Sequence, residues 1–326
     1  MPENLLSRYA ECIFWLARYV ERTENLARIL DVNETFSRDS AGGLDWLPIV
    51  RLHADEERFF AQHAVASASD VLEFYVLDGG NPTSIMTAVR NARENGRTLR
   101  PLISTEMWMQ LNMFYNQVNA LRPVDLSAGN LTSLFRWIKE ACQTHTGITE
   151  GTFFRDQAWY FYQIGRCIER ADATTRLVDI KYHALLPKPS DVGSPVDASQ
   201  WNVLLRSAAG YHAYRRLHAG QITPARVTGF LLLDPRFPRS VSLCLSETNR
   251  LLTELRSLYD LNGGDEAARI CQSLSAALRA TPAPHIIIQG LHEFLDQIQE
   301  ELIAVTRDLY ASFFGHSSEA RPEQEM

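Results

Sequence analysis

The sequence predicts an all-α fold, a helical bundle made of two tandem homologous repeats. Only 17 glycines and 14 prolines interrupt the 326 residues, which favours long helices. Apolar residues recur at spacings of three and four, and we find no convincing period-two alternation of the kind that marks β-strands. A signature near the start of the chain also returns 148 residues later, which indicates a duplicated structural unit.

The duplication is clearest in two segments of helical character. Residues 17–32 read ARYVERTENLARILDV, and residues 165–180 read GRCIERADATTRLVDI. Further along, VLDGGNPTSI at 76–85 matches LLDPRFPRSV at 232–241. The matches keep their order along the chain, so we interpret them as the remains of one ancestral segment used twice.

The two predicted repeats cover residues 5–150 and 151–314, and a polar tail at 315–326 is predicted to be disordered. Because the order of elements is the same in both repeats, we expect a pseudo-two-fold relation between them. A long helix opens each repeat, at 5–35 and 153–184, with its apolar residues on one stripe. The other predicted helices are 45–65, 69–77, 83–98, 104–121 and 131–145 in the first repeat, and 199–217, 224–232, 239–258, 265–280 and 286–313 in the second.

Composition excludes several classes of function. The net charge of −7 argues against broad nucleic-acid binding, which needs a basic surface. No apolar run approaches the roughly 18 residues of a membrane-spanning helix, so we expect neither a nucleic acid nor a membrane as a partner. The five cysteines are scattered and form no CxxC pair, which fits a reducing cytoplasm, where we expect the protein to reside.

Motifs for cofactors and metals are missing from the sequence as well. It contains no Walker loop, no GxGxxG, no GxSxG and no Cys–His arrangement, so we predict no cofactor. His292 precedes Asp296 by four residues, a spacing that can bind a metal. Without a linked second pair of ligands, we interpret His292 as a surface residue and predict no metal site.

The repeated signature places acids and arginines on one face of each long helix. All but three of the 32 basic residues are arginine, which can hold a carboxylate in a bidentate pair. Glu24 and Arg28 stand in the favourable i,i+4 order, and Glu21, Glu24 and Glu169 are candidate acid–base residues. The candidate ligand- or partner-binding residues of these two clusters are Arg18, Arg22, Arg28, Arg166, Arg170, Asp172 and Arg176.

Two interpretations of these clusters stay open. One is a network of buried ion pairs that fixes the register of the helices. The other is a polar cleft in which arginines bind a carboxylate or phosphate and a glutamate acts as acid or base. Two interpretations also stay open for a second group of residues, which either cap and pack helices or form a ligand-binding edge. This group consists of Asn81, Ser84, Arg93, Glu94, Asn95, Glu106, Trp108 and Asn112, with Arg239 in the second repeat.

The residues described so far resemble the alpha-E domain family of bacteria, and the resemblance covers nearly the whole chain. Two departures are visible: Ala17 stands where the family usually has the glycine that Gly165 keeps, and Met109 stands where an acidic residue is common. The resemblance implies an all-helical fold. The segments that carry it are Leu6–Glu11, Phe14–Arg28, Asn81–Ile85, Ala92–Arg97, Ser104–Asn112, Gly165–Asp172 and Asp234–Val241.

The resemblance also implies partners. Family members are typically encoded beside, or fused to, circularly permuted ATP-grasp proteins, with transglutaminase-like proteins nearby. This association implies a system that makes, modifies or trims a peptide by ATP-dependent amide ligation. We therefore expect an accessory subunit that binds the ATP-grasp ligase or an acidic peptide through its Arg/Glu clusters. The rival expectations are an enzyme that uses Glu21, Glu24 or Glu169 as acid or base, and a scaffold that forms homo-oligomers through an apolar helix face.

Overall fold

The computed structural model describes residues 5–39, 45–185, 195–220 and 222–315, with side chains given for these residues except 38–39, 180–185 and 195–198. Every regular element in the described part of the chain is a helix, which confirms the all-α prediction. None of the helices described is both long enough and apolar enough to cross a lipid bilayer. The predicted tail lies outside the described residues, apart from Gly315.

Contacts divide the described chain into two compact units, unit 1 up to Arg166 and unit 2 from Cys167 onward. In unit 1, α1 packs against α5 and α7, and α6 packs against the same two helices. Buried side chains such as Leu16, Val89 and Ile138 fill the space between them. The helices that begin in unit 1 are α1 (Ser7–Asp39), α2 (Leu47–Leu52), α3 (Glu56–Phe60), α4 (Ala68–Val76), α5 (Ile85–Thr98), α6 (Thr105–Asn119), α7 (Leu131–Thr152) and α8 (Gln157–Leu185).

Unit 2 takes the larger part of α8 and all of the later helices. Within it α12 packs against α13, α13 against α14, and α11 against both α12 and α14. The predicted boundary between the repeats, after residue 150, lies near the end of α7, and it stays a prediction. The later helices are α9 (Pro195–Ser207), α10 (Tyr211–Leu217), α11 (Pro224–Leu233), α12 (Val241–Tyr259), α13 (Asp265–Ala280) and α14 (Ala283–Leu309).

Two of the predicted helices, 45–65 and 199–217, are each broken into two. The cause is a left-handed alanine in each, Ala54 with φ 53° and Ala209 with φ 57°. The alanine N–H bonds the carbonyl three residues before it, at 3.0 Å in both turns, and the next N–H bonds the carbonyl five residues before it, at 3.1 and 2.7 Å. A left-handed residue ends a helix because it turns the N–H of the next residue away from the i→i−4 ladder. The two units therefore share one turn geometry.

The starts of α5 and α12 share a second local geometry. Ser84 caps α5 and Ser240 caps α12, each accepting the N–H three residues further on, at 3.1 and 3.2 Å. Each hydroxyl also donates to a backbone carbonyl six residues before it, that of Asp78 or Asp234, at 2.6 Å in both cases. A serine cap satisfies one of the N–H groups that a helix start leaves without a partner.

A close approach of backbones explains one glycine. A Cβ built at Gly165, in the first turns of α8, would lie 2.5 Å from the carbonyl oxygen of Phe14 on α1. No residue with a side chain fits at that distance, so glycine is required for α8 to approach α1 so closely within unit 1.

Candidate functional site

On α1 the predicted acids are enclosed by the protein. Glu24 Oε1 accepts a hydrogen bond from Arg28 Nη2 at 2.6 Å and another from Gln143 Nε2 of α7 at 3.4 Å. Glu21 is 3% exposed and Glu24 is 6% exposed. A carboxylate removed from water needs cationic or hydrogen-bond-donating partners, and the i,i+4 spacing brings Arg28 to it. Glu24 therefore joins α1 to α7.

The arginines of α1 lie on aromatic rings. The buried guanidinium of Arg18 is 4.5 Å from the ring centroid of Trp15, and that of Arg22 is 6.0 Å from the ring centroid of Tyr19. A cation over an aromatic face is attracted by the ring quadrupole, most strongly where water is excluded. Packing against rings thus holds these two arginines along the helix.

On α8 a similar arrangement occurs with a shorter acid. Arg176 Nε donates to both carboxylate oxygens of Asp172, at 3.1 and 2.9 Å. Glu169 is 4% exposed, and Arg170 is half-buried. Of the predicted cluster of α8, Asp172 and Arg176 are therefore paired, and Glu169 is as enclosed as the glutamates of α1.

Two further predicted arginines lie apart from these pairs. Arg166 belongs to unit 1 and donates from Nη1 to Glu150 Oε1 of α7 at 3.3 Å. Arg239 is buried just before α12, where its backbone carbonyl accepts a hydrogen bond from Thr174 Oγ1 of α8 at 2.8 Å.

The helix pair α5–α6 brings four predicted residues together. Arg93 Nε donates to Asn112 Oδ1 at 3.0 Å, and its Nη1 donates to Glu94 Oε1 at 2.6 Å. The same guanidinium lies 5.7 Å from the ring centroid of Trp108 and 4.8 Å from that of Tyr115. A planar cation held between rings and acceptors is a rigid element, suited to binding a carboxylate.

The rim of this group is open to solvent. Arg97 pairs with Glu94 at 2.7 Å while its side chain is 66% exposed. Arg100 is exposed, and its guanidinium lies 5.5 Å from the ring centroid of Trp108. Met109, the residue after Trp108 on α6, is exposed as well. We call Arg93, Glu94, Arg97, Arg100, Trp108 and Asn112 the α5–α6 cluster.

The other predicted residues of this region have different surroundings. Asn81 is buried before α5, where its Nδ2 donates to the Phe74 carbonyl at 3.0 Å, so it holds the loop together with the Ser84 cap. Asn95 is half-buried on α5, and Glu106 is exposed in the first turn of α6, where a negative charge is favoured by the helix dipole.

A buried carboxylate that our sequence analysis missed lies just after the turn at Ala54. Asp55 accepts hydrogen bonds from Thr83 Oγ1 at 2.8 Å, Tyr75 Oη at 3.1 Å and Arg58 Nη1 at 2.7 Å. Burial raises the pKa of Asp55 because it desolvates the charged form, and the three donors oppose that rise. A cavity of about 390 Å³ lies beside this carboxylate. Its lining residues are His53, Ala54, Asp55, Glu57, Arg58, Ala61, Pro82 and Thr83.

A second carboxylate was missed in unit 2. Asp179 of α8 lies 2.8 Å from His292 Nδ1 of α14, and His292 Nε2 lies 3.3 Å from Asp296 Oδ2. The spacing of His292 and Asp296 was visible in the sequence, but Asp179 stands 113 residues away from the histidine. No local pattern connects residues at that separation.

Comparison with known proteins identifies the family. The sequence model of one family, described as a predicted alpha-helical domain with a conserved ER motif, matches residues 5–314. The chain belongs to the Alpha-E family. The chain is 22% identical over 320 residues to uncharacterized proteins Mb2597 of Mycobacterium bovis and Rv2567 of Mycobacterium tuberculosis. These matches cover 91% of this chain but 35% of each relative, so the chain spans about a third of their length. No solved structure matches the chain significantly.

The Alpha-E description mentions an ER motif, and this chain contains an ER dipeptide on each of its long helices. Glu21–Arg22 lies on α1 and Glu169–Arg170 lies on α8, with both glutamates buried. A third such dipeptide, Glu57–Arg58, lies on the short α3 beside the Asp55 cavity. In the ER dipeptides of the long helices the glutamates are therefore interior, while Arg22 and Arg170 are half-buried.

Proposed function

We propose that this Alpha-E chain is an accessory binding subunit of a bacterial ATP-grasp-type amide-ligase system that makes or modifies a peptide. Membership of the family and the resemblance to proteins encoded with circularly permuted ATP-grasp and transglutaminase-like partners support the proposal. A cytoplasmic location is part of the proposal, supported by five cysteines that are scattered along the sequence without a CxxC pair.

The α5–α6 cluster is the surface that we assign to binding. One observation carries this assignment: the predicted residues Arg93, Glu94, Trp108 and Asn112 meet here beside two exposed arginines that were not predicted, Arg97 (66% exposed) and Arg100. The guanidinium of Arg93 is held against the rings of Trp108 and Tyr115, so it offers a preorganised anion site in the same cluster as Arg97 and Arg100. The ligand is an acidic segment, either of the ligase or of its peptide.

The glutamates of α1 and α8 take a different role in this proposal. Glu21, Glu24 and Glu169 are enclosed, and the ion pair of Glu24 with Arg28 is made inside unit 1. Removing one partner of a buried pair leaves an uncompensated charge, so such pairs fix the register of the helices that they join. This burial favours an interior network over an acid–base site.

We further propose that the two units descend from one duplicated helical repeat with a pseudo-two-fold relation. The left-handed turns at Ala54 and Ala209 are 155 residues apart, and the serine caps Ser84 and Ser240 are 156 residues apart. In both pairs the hydrogen bonds are of the same kind. Repeated local geometry at nearly constant spacing supports a common origin.

The test of the binding role compares a double charge reversal in the α5–α6 cluster with a control reversal at an ion pair of the same spacing and exposure. Arg97 pairs with Glu94 at i,i+3 and is 66% exposed, while Arg269 of unit 2 pairs with Glu266 at i,i+3 and is 65% exposed. With purified ATP-grasp ligase encoded beside the gene as bait, we expect Arg97→Glu/Arg100→Glu to weaken capture at least about tenfold, the loss of roughly 1.4 kcal/mol. Arg269→Glu is expected to leave capture unchanged.

Two outcomes would overturn the proposal. If the wild-type chain does not bind the ligase, and ligase activity is unaffected by deleting the chain, the accessory role is wrong. If the ligase binds but the double variant is captured as well as Arg269→Glu, the role stands and the assignment to the α5–α6 cluster is wrong. Isothermal titration with a synthetic hexaglutamate peptide tests binding of an acidic segment directly.

A further inference from the structure

Unit 2 contains a group of three side chains whose donor atoms converge. Asp179 lies on α8, and His292 and Asp296 lie one helical turn apart on α14. One oxygen of each carboxylate and one ring nitrogen lie within 4.8 Å of one another. In the part of the chain that the structure describes, this is the group of acidic, histidine or cysteine side chains that meets this geometry.

The donor set has the chemistry of a transition-metal site. Imidazole nitrogen suits zinc and other first-row divalent cations, and carboxylate oxygens suit zinc and manganese. The side chains of Asp179, His292 and Asp296 are 15%, 42% and 50% exposed, so water can reach the centre and complete the coordination shell. A cation there would join α8 to α14.

Comparison of α14 with α7 of unit 1 gives an independent reason. The buried positions Ile138, Cys142, His145 and Thr149 of α7 correspond, 153 residues later, to Leu291, Leu295, Ile298 and Leu302 of α14. This register places His292 at the position of Lys139 and Asp296 at the position of Gln143.

The corresponding group of unit 1 is a closed ion pair. Lys139 Nζ donates to Asp31 Oδ2 at 2.6 Å, and Asp31 is the counterpart of Asp179 in the repeated signature. One fixed cation thus neutralises one carboxylate in unit 1. Unit 2 has exchanged the lysine for a histidine and has added a second carboxylate. With a neutral imidazole, the group offers two carboxylates and one ring nitrogen and carries two negative charges, which favours a bound cation.

We propose that Asp179, His292 and Asp296 bind a divalent transition-metal cation of the zinc or manganese class, with water as the remaining ligands. The site is independent of the binding role assigned to unit 1. Its structural consequence is a metal link between α8 and α14 at the place where unit 1 uses a salt bridge. Because the cation binds the folded state, it also stabilises that state in proportion to its occupancy.

Isothermal titration of the metal-free full-length chain with Zn²⁺ alone tests the proposal. We expect one site per chain and a rise in melting temperature on loading. His292→Lys/Asp296→Gln rebuilds the ion pair of unit 1, so it keeps a partner for Asp179 and is expected to fold. This variant should bind Zn²⁺ at least about tenfold more weakly, as expected for loss of two of three ligands. His285→Ala, which removes an exposed histidine of α14 on the other side of its kink at Gly290, is the control and should bind normally.

The proposal is overturned if the wild-type chain takes up no Zn²⁺ at about 1 mM, a free energy of only about −4 kcal/mol. It is equally overturned if His292→Lys/Asp296→Gln binds Zn²⁺ as well as His285→Ala does.

Discussion

The turns at Ala54–Asp55 and Ala209–Gly210 have the same backbone and different chemistry. In unit 1 the left-handed alanine is followed by a buried carboxylate that lines a cavity of about 390 Å³. In unit 2 the same position is a glycine covered by two stacked aromatic rings. The comparison teaches that the turn is kept by its backbone hydrogen bonds, while the residue after the alanine decides between a polar cavity and an apolar core.

The packing around Gly210 explains why the two positions are not interchangeable. A Cβ built there lies 2.9 Å from Phe230 Cε1 and 3.1 Å from Phe237 Cζ, and the two rings are stacked with centroids 4.5 Å apart. Asp55, by contrast, has three hydrogen-bond donors directed at its oxygens. A polar side chain is stabilised in one unit and has no space in the other.

Gly210→Asp is the variant from which we expect the largest effect. It forces a carboxylate against Phe230 and Phe237, and the cost of overpacking adds to the cost of desolvating the charge. We expect unit 2 to lose about 4 kcal/mol of unfolding free energy, the range of severe core substitutions. Hydrogen exchange followed by mass spectrometry should show the loss in peptides of α10 and α11, with unit 1 unchanged.

Gly220→Asp is the matched control within unit 2. Gly220 is exposed, and a Cβ there would lie 3.3 Å from Arg226 Nη1, so the new carboxylate meets water and a cation. Its effect should stay within about 0.5 kcal/mol. Equal stability of the two variants would mean that the aromatic cover of Gly210 does not distinguish the turns.

The same turns show how far the sequence predicts the fold. The long helices were predictable because their apolar stripes are a local, periodic signal, and α1 and α8 extend over the expected residues. The break at Ala54 was not predictable, because alanine is the residue that most favours continuing a helix. At Ala209 the following Gly210 was a visible signal for a helix end. Backbone hydrogen bonds of the turn hold Ala54 in its conformation, and no residue type in the sequence marks them.

Acid should weaken unit 1 more than unit 2, because α7 contains the buried His145, whereas the described histidines of unit 2 are not buried. Burial lowers the pKa of His145 to about 4, below the value near 6.5 of an exposed histidine. The folded state therefore binds fewer protons than the unfolded state between these values. Stability is lost as the pH falls from 6.5 toward 4, by about 3 kcal/mol in total. Hydrogen exchange at pH 7 and pH 4 should show a larger loss of protection in α7 than in α14.

Protonation of carboxylates weakens both units in acid, so a variant is needed to isolate the histidine. His145→Gln keeps a hydrogen-bond donor for Gln110, which His145 Nδ1 contacts at 3.2 Å, and carries no titrating group. We expect the pH dependence of α7 to fall to that of α14. If α7 of this variant still loses about 3 kcal/mol between pH 6.5 and pH 4, buried His145 is not the origin of the difference.

The candidate sites were predictable to the degree that their contacts are local. Trp108 and Asn112 share a helix face four residues apart, and both join the α5–α6 cluster. Asp55 could not be predicted, since its partners Tyr75 and Thr83 lie 20 and 28 residues further on. The group of Asp179, His292 and Asp296 in unit 2 is the hardest to predict from sequence, because it depends on the register between α8 and α14.

The smallest effect is expected where the two units agree. Ser84→Ala and Ser240→Ala each remove a cap and a hydrogen bond to a carbonyl at 2.6 Å, that of Asp78 or Asp234. We expect each variant to lose about 1 kcal/mol, the usual value of a serine cap, with the loss confined to its own unit. Site-resolved hydrogen exchange measures both losses, and they should agree within about 0.5 kcal/mol. A larger gap would mean that equal hydrogen bonds at the two helix starts stabilise their units unequally. The units would then share a backbone shape without sharing the energetics that hold it.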